Sequence, residues 1–304
     1  MNLQNLRIFL KVAEFEHVTR AAEALHLSQP AVTRTIQNLE QEIHLDLIER
    51  HGRRIILTDA GRILQQYAQR IFALEREMEE ALAALRDLES GTIAFAANPS
   101  AWIYLLPPAV AEFHRNYPRI EFHITIQNSQ EIIAETLDWK VDFGLIEGDV
   151  STLPEQIQAS VLAYDVLVLI VSPHHHWAGL QQIPCEALGD GELIVREPGS
   201  GVREAIEQQL ARHQVRLRPL LTLSDNEAIK QMVMSGVGAA VVSSFGVRKE
   251  LANGELVSVP SCGLDWRTPI SLIRRVDKRL SCAAQAFCSL LMQHRMSGQD
   301  QVTA

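Results

Sequence analysis

Nine apolar residues at heptad spacing constrain this chain more than any other feature. Ala60, Leu64, Tyr67, Ile71, Leu74, Met78, Ala81, Leu85 and Leu88 follow one another at alternating steps of four and three. That repeat paints one stripe along a helix and seats it against a second helix. Residues 59–89 therefore predict a single helix about 45 Å long, at about 1.5 Å per residue. The charged flank Glu75, Arg76, Glu77, Glu79 and Glu80 favours a two-chain coiled coil over a helix lying on its own chain. Thr58, with Gly61 just inside, reads as the starting cap, and Gly91 after Ser90 as the end and a hinge. Residues 1–58 and 90–304 then form separate domains at the two ends of a dimerisation rod.

The 304 residues are 47% hydrophobic and 21% charged, enough to bury more than one core. The N-terminus alternates charged and apolar residues at helical spacing, unlike a signal peptide, and no apolar run reaches the roughly 18 residues of a membrane helix. A cytoplasmic protein without a membrane partner is expected. Cys185, Cys262, Cys282 and Cys288 are scattered, with no C-x-x-C pair, so neither a disulfide framework nor a zinc knuckle is expected. The formal net charge of −9 argues mildly against nucleic acid. Within residues 1–62, however, eight Lys/Arg balance eight Asp/Glu, so the deficit lies downstream. A case for DNA has to rest on arrangement rather than charge.

That arrangement is present. Leu6, Phe9, Leu10 and Ala13 mark a first helix, and Thr19 reads as the N-cap of a short second one. After a turn at His26 and Leu27, Ser28 is placed to cap a third helix with Pro30 in its first turn. Val32, Ile36 and Leu39 form its inward stripe, while Pro30, Thr33, Arg34 and Gln37 share the outer face and, with Thr19, Ser28 and Gln29, make up the candidate DNA-binding residues of the helices. Gln and Arg can read adenine and guanine edges, and Thr a thymine methyl or a phosphate. Arg50, Arg53 and Arg54 then sit at the turn of a predicted two-stranded hairpin, the form of a wing against phosphate. A plain helical subdomain with a solvated basic turn is the alternative on pattern alone.

The unbroken string from Ala21 to Gly61, AAEALHLSQPAVTRTIQNLEQEIHLDLIERHGRRIILTDAG, closely resembles the N-terminal signature of LysR-type transcriptional regulators. Ile48 and His44 stand where that family usually has Phe and Gly, and neither touches the outer face. The resemblance implies a winged helix-turn-helix that binds double-stranded DNA at a dyad-symmetric promoter site. It implies a homodimer, or a homotetramer built as a dimer of dimers, with RNA polymerase as a further contact.

Past Gly91, short β-rich runs alternate with helical ones, an α/β pattern read as parallel sheets. Strands are predicted at 92–97, 121–127, 141–146, 165–171, 193–196, 220–223, 239–242 and 270–274. The resemblance implies a two-lobed effector domain like the periplasmic binding proteins, with lobe I at about 90–163 and 267–297 and lobe II at about 164–266. Sites in such folds lie where strands end and helices begin. Three such turns stand out: Asn98, Ser100 and Ala101; Asn128, Ser129 and Gln130; and Arg196, Glu197, Ser200, Gly201 and Arg203. Each offers N–H groups and hydroxyls suited to a small anion, though each alone is also an ordinary cap. Glu147 belongs near the same cleft, where it would oppose an anion unless paired with Arg203 or Arg196. The strings NSQEI, DFGLIEG, REPGSGVR and NEAIK resemble the branch that regulates carbon fixation and sulfur or sulfite assimilation. Val202 stands where that branch has Thr, and Trp102 where it has Gly. The effector expected first is a sulfite- or sulfate-like oxyanion, and next a small carboxylate.

His174–His176 is read as a surface turn rather than a metal site. Gly236 and Gly238 lack the Lys of a phosphate loop. No G-x-S-x-G, H-E-x-x-H or complete G-x-G-x-x-G occurs, so no catalytic residue, metal or cofactor is assigned. A transporter's solute-binding protein and an enzyme on the same scaffold are the competing readings. The first is opposed by the N-terminal unit, and the second by the lack of a nucleophile–base pair.

Overall fold

The computed structural model describes residues 2–51, 54–84, 91–261 and 267–298. It divides into two compact units, residues 1–79 with 138–140, and residues 80–137 with 141–304.

In the first unit, α1 (Leu3–Phe15), α2 (Val18–Ala24) and α3 (Gln29–Ile43) precede an antiparallel hairpin of β1 (Ile48–His51) and β2 (Arg54–Leu57). Asn2 and Ser28 cap α1 and α3 by accepting the N–H of Asn5 at 2.8 Å and of Ala31 at 3.4 Å. Thr19 caps nothing: the backbone is extended at His17 and helical from Val18, so Thr19 lies inside α2. Phe9, Val12, Ala21, Val32, Ile36, Leu39, Leu47 and Ile55 share one core, which takes in the predicted inward stripe of α3. Each large side chain buried here contributes about 1.5–3 kcal/mol.

α4 (Asp59–Ala84) starts where the sequence placed it, with Thr58 Oγ1 accepting the Gly61 N–H at 3.0 Å. Any side chain at Gly61 would strike the Leu47 carbonyl. Residues 85–90, with Leu85 and Leu88, lie outside the described residues. The heptad stripe divides. Leu64 and Ile71 lean with Leu10 on a cluster of Leu6, Ala68 and Phe72, whereas Tyr67, Leu74 and Met78 are exposed, joined by Ile63 and Leu82.

The first strand of the second unit is β3 (Gly91–Ala97), so Gly91 opens a strand. A π-helical turn (Ala101–Leu105) leads into α5 (Leu106–Asn116), followed by β4 (Ile120–Ile126), α6 (Ser129–Leu137) and β5 (Phe143–Glu147). A 15-residue strand, β6 (Ile157–Val171), comes next. Then follow α7 (Cys185–Leu188), β7 (Ile194–Arg196), α8 (Gly201–Arg212), β8 (Leu221–Leu223) and α9 (Asn226–Met234). β9 (Ala240–Ser243), α10 (Arg248–Asn253), β10 (Val257–Ser258), β11 (Arg267–Arg275) and α11 (Cys282–Gly298) complete it.

The expectation of parallel sheets holds only in part, since β7 pairs β8 in parallel but the main sheet is mixed. β3 is parallel to β4 and β5, but β11 is antiparallel to β5 and β6, and β9 and β10 are antiparallel to β6. β6 starts at Ile157 rather than Asp165. Its first half pairs with β11 and its second half with β9 and β10, so one strand runs through both lobes. The β6–β11 register slips between Ile270 and Ser271, opposite Ala163 and Val161. The lobes have separate cores. Phe95, Phe113, Phe143 and Phe287 pack in one, with the rings of Phe95 and Phe143 stacked at 5.0 Å, and Leu169, Trp177, Ile206 and Leu210 in the other. Trp102 packs against the first core and lines neither cavity described below.

Candidate functional site

On the first unit, α3 carries an exposed polar face. Ser28, Gln29, Pro30, Arg34 and Gln37 are exposed and Thr33 is half-buried, with Gln29 Nε2 donating to Thr33 Oγ1 at 3.4 Å. Thr19 is exposed on α2. His51 pairs with Arg54 at the closing end of the hairpin. Arg53 lies outside the described residues, and Arg50 and Arg54 are placed only by their strand positions.

In the second unit, three strand ends converge. Asn98 Oδ1 accepts the Ala101 N–H at 3.1 Å, turning the chain out of β3. Its Nδ2 donates to Glu147 Oε2 at 2.9 Å. Asn128 Oδ1 accepts the Glu131 N–H at 3.0 Å and starts α6, while Ser129 Oγ donates to the Glu147 carbonyl at 2.9 Å. The lobes touch through glycine. Any side chain on Gly201 would strike the Glu147 carbonyl, and Gly148 facing it has φ +122°. Gln130 N–H donates to the Gly199 carbonyl at 3.1 Å.

Neither candidate arginine pairs with Glu147. Arg196 Nε and Nη2 grip both oxygens of Glu197 at 2.8 and 3.0 Å, and its Nη1 donates to Asn226 Oδ1 at 2.7 Å. Arg203 Nε donates to Glu207 at 2.8 Å and its Nη1 to the Arg196 carbonyl at 3.1 Å. Each guanidinium has a nearer carboxylate on its own lobe. Asn98 is the partner instead, and Glu147 Oε1 is buried with none.

Burial pushes the Glu147 carboxyl up to about 8, helped by repulsion from Asp165. The Ser100 and Asn98 side chains and the Arg196 charge pull the other way. Burial also raises Asp165, to about 6. Two acids that share a buried site hold on to a proton between them at neutral pH. Glu147 can therefore stand beside an anion as a neutral donor, with no cation needed to balance it.

Asn98, Ser100, Asn128, Ser129, Glu147, Arg196, Ser200 and Gly201 line one cleft with Pro99 and Val202. Ala101, Gln130, Glu197 and Arg203 stand behind it: Ala101 in the lobe core, Gln130 on Gly199, Glu197 and Arg203 on Arg196. Sequence reasoning missed Asp165, although a lone acid inside the apolar run AYDVLVLIV was a signal for it.

The histidine run is more than a surface turn. His175 Nε2 lies 3.1 Å from Glu192 Oε2 and His176 Nε2 3.7 Å from Oε1. The Trp177 N–H donates to His175 Nδ1 at 3.2 Å, which puts the ring proton on Nε2, aimed at Glu192. A metal-bound imidazole needs the opposite tautomer, so the cluster fits a hydrogen-bonded brace. Cys185, Cys282 and Cys288 are free thiols, and burial pushes Cys288 up to about 12. Cys262 lies outside the described residues. No helix among the described residues is long and apolar enough to cross a membrane.

Known proteins share both parts of this architecture. Residues 3–62 match the bacterial regulatory helix-turn-helix protein, lysR family, and residues 86–295 match the LysR substrate binding domain. The RuBisCO operon transcriptional regulator of Allochromatium vinosum is 36% identical over 287 residues, covering 94% of each chain. The regulatory domain of Synechocystis PCC6803 CcmR, solved in complex with 2-PG, is 30% identical with a TM-score of 0.61, covering 68% of this chain and 98% of that one. Full-length CbnR, solved with its target DNA, is 23% identical with a TM-score of 0.65 over 96% of this chain and 99% of its own. The chain thus belongs to the LysR family, as a DNA-binding transcriptional regulator with an effector-binding domain and not an enzyme.

Proposed function

We propose that this regulator binds a dyad-symmetric promoter site as a homodimer, or as a pair of dimers, under the control of a small anion held in the interlobe cleft. The convergence of Asn98, Ser100, Ser129, Ser200 and Arg196 on a buried, half-bonded Glu147 carries the proposal. The N-termini of α6 and α8 open at this cleft, and helix N-termini favour negative charge. The relative solved with 2-PG supports an organic anion over the bare sulfate-like oxyanion expected first.

On the DNA side, Gln29, Pro30, Thr33, Arg34 and Gln37 face the major groove, while the turn bearing Arg50, Arg53 and Arg54 lies against the backbone. Arg34→Ala is expected to cost about 1–3 kcal/mol at a cognate site and to relax preference at one position per half-site. Shift assays over a panel of single-base operator variants check this. A uniform loss across the panel makes Arg34 a phosphate contact, and binding unaffected by salt removes the DNA reading of this face.

A further inference from the structure

Where Gly201 meets the Glu147 carbonyl, the lobes press backbone on backbone. A different contact lies across Pro99, which lines both that cleft and a second cavity of about 120 Å³. Here the lobes touch through rings. Tyr104, on the π-helical turn, stacks on Phe245, on the 3₁₀ turn Ser244–Val247, with centroids 5.9 Å apart and planes at 22°. Offset pairs of this kind attract beyond the area they bury. The Arg248 guanidinium lies 4.4 Å from the centre of the Phe245 ring and adds a cation to the stack. The tip of Tyr104 is fitted to the backbone opposite. A Cβ on Gly246 would lie 2.9 Å from the Tyr104 hydroxyl, and 3.7 Å from the ring carbon that bears it. Tyr104 and Gly246 both line the second cavity, so the stack closes one side of it.

The two turns are tied to opposite lobes. Trp102 and Leu105 pack on the Phe95 core of the first lobe, and Val247 is buried with Val242 and Ile229 in the second. Between these anchors the rings themselves are loosely covered: Tyr104 is 38% exposed and Phe245 is half-buried. The turn that carries Tyr104 is weakly held as well. The Leu106 N–H reaches back five residues to the Ala101 carbonyl. Pro107 and Pro108 follow and have no N–H to offer the Ile103 and Tyr104 carbonyls, which removes two bonds of an ordinary helix. π turns are frequent at functional sites. A contact made of backbone yields only if the chain moves, whereas two rings on such turns part by rotation of side chains.

We propose that the Tyr104–Phe245 stack is a latch between the lobes, closed in this structure, which parts as one unit when the second cavity opens, with the π turn as its hinge. Opening is then a local equilibrium that both turns share, and whatever loosens one side loosens the other.

Hydrogen–deuterium exchange of the full chain tests it. Gly246→Ala sets a methyl against the Tyr104 hydroxyl, and the free end of that side chain is the part able to give way. Exchange should quicken at least fivefold in residues 101–106 on one lobe, and in 224–226 and 244–247 on the other. Tyr104→Phe keeps the stack and should exchange within twofold of the wild type. Added to Gly246→Ala it removes the colliding oxygen and leaves the methyl in ordinary contact, so it should restore the wild-type rates. Tyr104→Ala and Phe245→Ala carry the same test by deleting a ring instead of displacing one, and each should quicken exchange on the lobe that was not mutated. Quickening confined to the mutated turn, or a Gly246→Ala effect that Tyr104→Phe does not reverse, overturns the latch.

Discussion

Glu147 shows how much one residue's surroundings decide its chemistry. It was legible in the sequence as a cleft residue, because it ends a strand just before Gly148. Its partner was not legible, because the choice between Arg196, Arg203 and Asn98 depends on which groups each arginine meets first on its own lobe. Burial then raises both Glu147 and Asp165 above the ordinary carboxylate range. A carboxyl raised on folding binds more protons in the native state than in the unfolded chain, so stability falls as pH rises between the two values. The fall up to about pH 8 belongs to the pair, with Glu147 the more strongly raised of the two. Thermal melts at pH 6.5 and 8.5 should show the wild type losing stability across that interval and Glu147→Gln losing less. A Glu147→Gln profile as steep as that of the wild type would place the proton elsewhere.

At the scale of elements, α1, α3, the hairpin and α4 could all be anticipated because capping and periodicity are local. Ser28, Thr58 and Gly61 act within a few residues of themselves. The division of the α4 stripe could not be anticipated. Leu64 and Ile71 satisfy a heptad, yet they are claimed by α1, and the strip left bare runs through Ile63, Tyr67, Leu74, Met78 and Leu82. Covering such residues with a second copy is worth about 25 cal/mol per Å² of apolar surface. Leu74→Glu with Met78→Glu should therefore turn a dimer into a monomer by sedimentation velocity, with the fold retained by circular dichroism. Operator affinity should fall by at least tenfold, since one half-site contact is lost. A double variant that remains dimeric would assign the seam to other residues.

At the scale of the whole molecule, the alternation of strands and helices announced an α/β domain but concealed its mixed sheet. β11 lies far from β5 and β6 in sequence, and nothing local to residues 267–275 tells which strand will accept it or in which direction. The lobe contact at Gly201 was likewise invisible, because it needs a carbonyl from the other lobe to come within touching distance. Gly201→Ala should force the lobes apart there, at a cost of about 1–3 kcal/mol as for other overpacked sites. Anion binding in the cleft should weaken by at least tenfold, read by titration alongside thermal melts. A variant with wild-type affinity would show that the contact is not needed for the bound state.

The register slip between β6 and β11, where Leu162 is passed over, has a mechanical consequence. β6 runs through both lobes in antiparallel pairing, first with β11 and then with β9 and β10, and such ladders resist shear because sliding would break their rungs together. Torsion and bending are cheap only where the rungs are already irregular, and bulges concentrate both. That soft point falls between Ile270 and Ser271, and Ile270 is the rung opposite Glu147. A push on Glu147 would therefore act next to the irregular rung, where bending is cheapest and length changes least.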